Sequence, residues 1–206
     1  MNYPEFDAAF DALPLVAILR GVTPPEVEDV AAALYEEGFR LIEVPLNSPD
    51  ALDSIARLAQ SLPADAVVGA GTVMSRFDVT AVKDTGARLI VMPHADTDVI
   101  SYAKENGMVC IPGAATPTEV FAALAAGAEA VKIFPAELVP PAVLKAMRAV
   151  VARDIRLLPV GGITPERMDD YRKAGASGFG LGSALYAPGM AAEAVRERAR
   201  QFVAAW

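Results

Sequence analysis

The sequence predicts an α/β fold in which parallel strands alternate with helices, and three observations support this prediction. Eight short apolar runs recur along the 206 residues, each beginning 20 to 27 residues after the one before. Their near-continuous apolar character is typical of parallel strands that helices cover. Between them lie longer, Ala-rich segments with the start and stop signals of amphipathic helices. Eight strand–helix repeats favour a closed, compact (β/α)8 TIM barrel over an open, doubly wound sheet.

Each predicted strand ends at or near Gly or Pro, residues that interrupt strands. The strands begin at Leu15 (LVAILR), Arg40 (RLIEVP), Ala66 (AVVGAG), Arg88 (RLIVMP), Met108 (MVCIPG), Glu129 (EAVKIFP), Arg156 (RLLPVGG) and Ser177 (SGFGLG).

Helix boundaries follow from Pro in the first turn, capping Ser or Thr, and Gly after the last turn. The predicted helices span residues 24–38, 49–62, 75–86, 96–107, 117–127, 141–151, 164–175 and 190–204. A short extra helix over residues 3–12 is expected to cover the bottom of the barrel. We expect residues 1–206 to form a single domain.

The composition excludes several classes of protein. Hydrophobic residues make up 53% of the chain, yet no apolar stretch of eighteen residues lacks a charge, Gly or Pro, so we expect no membrane span. The first residues lack signal-peptide features, and we expect a cytoplasmic location. A net charge of −8 argues against nucleic acid as a partner. One cysteine, Cys110, and one histidine, His94, argue against disulfides and Cys- or His-rich metal sites, and we expect no cofactor.

One lysine lies inside an otherwise apolar strand, in the sequence AVKIF. Strand alternation places Lys132 and Phe134 on one face, with Val131 and Ile133 on the other, beneath the helices. A lysine that points into a barrel loses solvation, which favours the neutral amine, a nucleophile toward carbonyl carbon. We therefore predict that Lys132 forms a Schiff base. Phe134 is predicted either to wall the pocket or to fill the core.

A carboxylate occupies the same kind of position on the second strand. Glu43 stands among aliphatic residues just before the strand ends, where it could move protons for the lysine. The alternative is a structural ion pair between Glu43 and Lys132 that fills the barrel, although buried pairs stabilise poorly. Arg20, at the end of the first strand, could bind a substrate carboxylate in bidentate fashion or be a surface arginine.

Glycines at two neighbouring strand ends predict a phosphate site. Gly161 and Gly162 follow the seventh strand, and Gly182 and Ser183 follow the eighth. Barrels often bind phosphate in these two loops, where glycine lets backbone N–H groups approach the anion. Thr72, after the third strand, is predicted either to bind substrate or to cap the next helix.

These residues together resemble a known family. The chain is similar to the class I aldolases that cleave 2-keto-3-deoxy-6-phospho sugar acids, in segments spread over nearly its whole length. These segments are 15–21 (LVAILRG), 43–49 (EVPLNSP), 69–73 (GAGTV), 132–135 (KIFP), 160–162 (VGG) and 182–183 (GS).

The resemblance implies a role for each matching residue. Lys132 would form the Schiff base and Glu43 would be the general acid and base. Arg20 and Thr72 would bind the pyruvate end of the substrate. The phosphate would contact Gly162, Gly182 and Ser183. The resemblance also implies a metal-free homotrimer that acts on a phosphorylated keto acid.

Two segments distinguish branches of the family. Members that act on the gluconate epimer usually have Arg-Thr where this chain has Asn47-Ser48, and Thr where it has Val160. The resemblance therefore implies cleavage of 2-dehydro-3-deoxy-6-phospho-D-galactonate to pyruvate and D-glyceraldehyde 3-phosphate, with Val160 as a specificity residue. Action on the gluconate epimer or on 4-hydroxy-2-oxoglutarate remains an alternative. A non-covalent phosphate-binding isomerase or synthase and a sugar-phosphate sensor are further alternatives, because fold alone does not separate them.

Overall fold

The computed structural model describes residues 3–206 and confirms the predicted alternation of strands and helices. The strands are β1 (Leu15–Ile18), β2 (Leu41–Pro45), β3 (Val67–Gly71), β4 (Leu89–Val91), β5 (Val109–Ile111), β6 (Gly113–Ala114), β7 (Val131–Ile133), β8 (Leu157–Pro159) and β9 (Phe179–Leu181). The helices are α1 (Pro4–Ala12), α2 (Pro24–Glu36), α3 (Ala51–Ser61), α4 (Arg76–Asp84), α5 (Thr97–Glu105), α6 (Pro117–Ala125), α7 (Pro141–Met147), α8 (Pro165–Lys173) and α9 (Ala192–Ala205).

All strand pairings in the described residues are parallel, and the strands close into a barrel. One sheet runs in the order β5-β4-β3-β2-β1-β9, and the other runs β6-β7-β8. A parallel bridge between Val160 and Gly180 joins β8 to β9. The carboxyl ends of the strands therefore meet at one end of the barrel, as the (β/α)8 prediction requires.

The fifth predicted strand differs from the expectation because it is split in two. Pro112 separates β5 from β6, and a proline has no N–H to donate to a neighbouring strand. Its carbonyl still accepts a hydrogen bond from Lys132 N at 2.9 Å. The break therefore leaves the strand that carries Lys132 attached to the wall of the barrel.

The buried apolar residues form two groups, one in the interior of the barrel and one between the strands and the helices. Val131 and Ile133 belong to the group packed against the surrounding helices, as alternation predicted. The interior group contains residues of six strands together with Phe6 and Phe10 of α1. The N-terminal helix thus closes the bottom of the barrel, which confirms its predicted place. Cys110 is fully buried in the outer group.

Local signals explain most helix ends. The Ser75 side chain accepts a hydrogen bond from Asp78 N, and Thr116 forms a capping box with Glu119. α7 ends at Met147, four residues before the predicted end at Val151. No helix within residues 3–206 is long and apolar enough to span a membrane. The cytoplasmic location stays a prediction.

Candidate active site at the carboxyl ends of the strands

Lys132 lies in the middle of β7 and points into the barrel. Its side chain is buried, with 5% of the residue's surface exposed. The ammonium nitrogen lies 4.6 Å from the centre of the Phe134 ring, two residues along the same face. The predicted alternation of this strand is therefore correct, and the Phe134 ring lies beside the amine.

Glu43 enters the same space from β2. It is 1% exposed, and its Oε2 atom accepts no hydrogen bond from any residue in the described part of the chain. A buried, unpaired carboxylate oxygen is costly for the fold. Such a cost is common where a side chain has a chemical task.

The electrostatics of the two groups favour proton transfer. Burial raises the pKa of Glu43 to about 7, against the opposing effects of Lys132 and then Arg20. Burial also lowers the pKa of Lys132, helped by Arg20 and opposed by Glu43. Both shifts favour the neutral forms, so an amine that loses its proton more readily than an ordinary lysine shares the site with a carboxyl group that changes charge near pH 7.

The alternative of a structural ion pair finds little support. The contacts of the described residues include no ion pair between Lys132 and Glu43. The two groups interact through space, since each shifts the pKa of the other. The pair therefore lacks the direct hydrogen bonds that make a buried salt bridge tolerable.

A glycine on the neighbouring strand makes room for the carboxylate. A Cβ atom placed on Gly71 would overlap the carboxylate of Glu43. β2 and β3 are paired so that Pro45 lies beside Gly71. Any larger residue at this position would displace Glu43, so Gly71 belongs to the site. The sequence pattern marked this glycine only as the end of a strand.

Arg20 lies at the mouth of the barrel, where it is exposed. Its Nη1 donates a hydrogen bond to Asn47 Oδ1 at 2.7 Å, across the loops that follow β1 and β2. The next residues of these loops are also joined, because Gly21 N donates to Ser48 Oγ at 2.9 Å. The loop of β2 thus positions the arginine, a role for Asn47 that the sequence pattern did not reveal.

Thr72 follows β3 directly and adopts a left-handed backbone conformation with φ +58°. This conformation is strained for a β-branched residue. The next helix begins at Arg76 and is capped by Ser75, so Thr72 is not its cap. Of the two predicted roles, the capping role is wrong, and Thr72 directly follows Gly71, the glycine that packs against the Glu43 carboxylate.

The four residues predicted to hold phosphate follow β8 and β9. Gly161 and Gly162 have φ values of +113° and +57°, which favour glycine. Gly182 begins a single helical turn, with its carbonyl accepting hydrogen bonds from Leu185 and Tyr186. Ser183 is exposed in this turn.

Val160 lies between the predicted phosphate loop after β8 and the buried pair. A small interior cavity is lined by Lys132, Glu43, Val160 and Gly180, together with apolar side chains of β1, β4, β5 and β8. Val160 is 7% exposed, and its methyl groups contact the position that a Cβ on Gly180 would occupy. The predicted specificity residue and the predicted reacting groups therefore border one space.

A larger groove of about 980 Å³ lies at the opposite end of the barrel, between α1, the end of α3 and the starts of β3 and β4. Its lining contains neither Lys132 nor Glu43. The strand ends remain the candidate site because the buried ionisable groups converge there.

Comparisons with known proteins agree with this geometry. A family model described as "KDPG and KHG aldolase" matches residues 6–198. A relative from Rhizobium meliloti, named probable 2-dehydro-3-deoxy-6-phosphogalactonate aldolase, is 47% identical over 94% of this chain and 91% of its own. The Escherichia coli protein named 2-dehydro-3-deoxy-6-phosphogalactonate aldolase is 44% identical over 94% of this chain and 95% of its own.

A solved structure described as native KDPGal superposes with a TM-score of 0.92 at 44% identity, covering 94% of both chains. Together with the family match over nearly all of the sequence, this likeness agrees with the barrel and with the residues gathered at its strand ends. The chain therefore belongs to the KDPG and KHG aldolase family, and it is a carbon–carbon lyase.

Proposed function

We propose that this chain reversibly cleaves 2-dehydro-3-deoxy-6-phospho-D-galactonate to pyruvate and D-glyceraldehyde 3-phosphate through a Schiff base on Lys132. The observation that carries the proposal is the buried pair of Lys132 and Glu43, whose pKa shifts both favour the neutral forms. The two relatives named for this substrate support the choice of substrate.

Covalent catalysis begins with the amine. Neutral Lys132 attacks the C2 carbonyl carbon and forms a C–N bond, giving a carbinolamine. Glu43, protonated, donates its proton to the departing hydroxyl, and water leaves as the iminium forms. A solved KDPG aldolase from Legionella pneumophila, 25% identical with a TM-score of 0.84, is described with pyruvate captured as a covalent carbinolamine. That intermediate in a relative supports the same chemistry here.

Carbon–carbon cleavage follows from the iminium. The Glu43 carboxylate takes the proton of the C4 hydroxyl, and the C3–C4 bond breaks as C4 becomes the aldehyde carbon. The bonding electrons move to the iminium nitrogen through an enamine. After the aldehyde leaves, C3 is protonated, and water hydrolyses the iminium to release pyruvate. One carboxyl group can give and take protons in turn because its pKa is about 7.

The two anionic ends of the substrate would bind to different groups of the protein. Arg20, held by Asn47, would bind the carboxylate of the pyruvate end, and Thr72 would hydrogen-bond the same end. The phosphate would lie on the backbone of Gly161, Gly162, Gly182 and Ser183. The Gly162 N–H donates no hydrogen bond to any of the described residues. Such loops can hold an anion in a chain whose net charge is −8.

We also propose a homotrimer. A designed protein cage built by fusing symmetric oligomeric domains contains a chain 44% identical to this one, which supports a symmetric assembly. Met74 and Phe77, just after Thr72, are 56% and 81% exposed. An apolar surface of this kind beside the site is suited to burial between subunits.

The preference between epimers at C4 provides the test of the substrate. Val160 presents methyl groups where a threonine would offer a hydroxyl to the C4 oxygen, so we expect a preference for the galactonate epimer. A single contact of this kind is worth about 1–3 kcal/mol. Val160→Thr should shift the ratio of kcat/KM toward the gluconate epimer, measured by pyruvate release from each compound. Wild-type preference for the gluconate epimer would overturn the substrate assignment. Absence of pyruvate release from both epimers would favour a non-covalent isomerase.

A further inference from the structure

Two exposed side chains of opposite charge flank the Gly161–Gly162 loop. Arg167, in the first turn of α8, donates a hydrogen bond from Nη1 to the Gly162 carbonyl at 2.6 Å. The same nitrogen lies 2.9 Å from the position that a Cβ on Gly162 would take, and Glu137 Oε1 lies 3.1 Å from it. The guanidinium and the carboxylate therefore both touch one residue of the loop.

The backbone beneath both side chains is fixed. Tyr171, also on α8, is buried and donates its hydroxyl to the Ala136 carbonyl at 2.9 Å. Ala136 N donates to the Val160 carbonyl at 2.8 Å. The loop after β7, which carries Glu137, is thus held to the end of β8 and to the helix that carries Arg167. The two charges face the loop from a defined framework.

Neither charge is neutralised by a direct partner. The described residues contribute no ion pair to Arg167 or Glu137, and the Gly162 carbonyl is the one hydrogen-bond acceptor found for Arg167 among them. A guanidinium has five N–H donors, so most remain available to an anion. An anion bound at the Gly162 backbone would therefore have both the attractive guanidinium and the repelling carboxylate close by.

We propose that Arg167 binds the terminal phosphate of the substrate and that Glu137 opposes it, so that the pair sets the affinity for phosphorylated over unphosphorylated aldehydes. This inference rests on the proposed function, which puts the phosphate on the same loop. Arg167 contributes charge and N–H donors to the phosphate. Glu137 weakens binding of a dianion, which keeps release of glyceraldehyde 3-phosphate fast.

The test runs the reaction in the condensation direction, with pyruvate and either D-glyceraldehyde 3-phosphate or unphosphorylated D-glyceraldehyde. Arg167→Gln keeps a donor for the Gly162 carbonyl but removes the charge. We expect the KM for the phosphorylated aldehyde to rise about three- to tenfold, since charge-assisted contacts to phosphate exceed neutral ones. The KM for glyceraldehyde should stay unchanged, and Arg167→Lys should recover part of the loss.

Glu137→Gln is the variant of opposite sign, and it should lower the KM for the phosphorylated aldehyde by about two- to threefold. Lys173→Gln, which removes a cation at the far end of the same helix, controls for net charge and should change neither KM. Equal effects of Arg167→Gln on both aldehydes, or no effect on either, would overturn the proposal. If the wild-type protein cannot be trapped reductively with pyruvate alone, the Schiff-base function is refuted instead. Pyruvate carries no phosphate, so this result does not depend on Arg167 or Glu137.

Discussion

Replacing Glu43 with glutamine should make the protein more stable at alkaline pH while it loses activity. Glutamine keeps the shape of the side chain and removes the ionisable group. The loss of a general acid and base should lower kcat by about 10²- to 10⁴-fold. The stability effect has a separate origin, because the folded protein holds this carboxyl in a place that disfavours its charge.

The magnitude follows from the pKa of Glu43, which burial raises from 4.5 to about 7. Each pKa unit corresponds to about 1.36 kcal/mol, so the charged form costs the folded state about 3 kcal/mol. The folded state binds the proton more tightly than the unfolded state. The contribution of protonated Glu43 to the free energy of unfolding is therefore fully present below pH 4.5 and is lost as the pH rises through 7.

Urea unfolding of both proteins at fixed protein concentration, from pH 4 to pH 9, measures this effect. The free energy of unfolding of Glu43→Gln, relative to wild type, should rise by about 3 kcal/mol between pH 4.5 and 8 and then level off. Glu119→Gln is the matched control. Hydrogen bonds from Ala115 and Thr116 lower the pKa of Glu119, so its effect on the free energy of unfolding should change with pH in the opposite direction. A difference for Glu43→Gln that does not change with pH would refute the account of this carboxyl.

Two further substitutions separate the parts of the site. Gly71→Ala should displace the Glu43 carboxylate and lower kcat at least about tenfold, because small displacements of reacting groups are costly. In a protein that already carries Glu43→Gln, Gly71→Ala should lower kcat little further. Additive losses of kcat would contradict the idea that Gly71 acts through Glu43. Gly182→Ala introduces a Cβ that meets no described atom within 4 Å, so the free energy of unfolding should change by less than about 0.5 kcal/mol. Its KM for glyceraldehyde 3-phosphate should nevertheless rise while trapping of pyruvate is unchanged, and an equal loss of both would show that the glycine serves only the fold.

Properties that repeat along the chain could be predicted from the sequence. The spacing of apolar runs predicted the barrel, and strand alternation predicted that Lys132 and Phe134 share the inner face. Both predictions depend on residues within one element, where the period of two leaves few alternatives. The capping role of Ser75 follows from its own neighbours for the same reason.

Contacts between elements could not be predicted in this way. The fit of Glu43 against Gly71 depends on the pairing of β2 with β3, which no local pattern specifies. The hydrogen bond from Arg20 to Asn47 joins two loops 27 residues apart, and Glu137 meets the Gly162 loop only through the closed barrel. Pro112 is visible in the sequence, but whether a proline ends a strand or merely interrupts it depends on the strands beside it.

The central claim, that Lys132 forms a Schiff base, is tested most directly by treating the protein with borohydride in the presence and absence of pyruvate and mapping the product by peptide mass spectrometry. A reduced pyruvate adduct should form on Lys132 only when pyruvate is present. Lys132→Ala should form no adduct because it lacks the amine. Lys132→Arg should form none because a guanidinium stays protonated and cannot form the imine. No adduct in the wild-type protein, or an adduct on another lysine with Lys132→Ala still active, would contradict the claim.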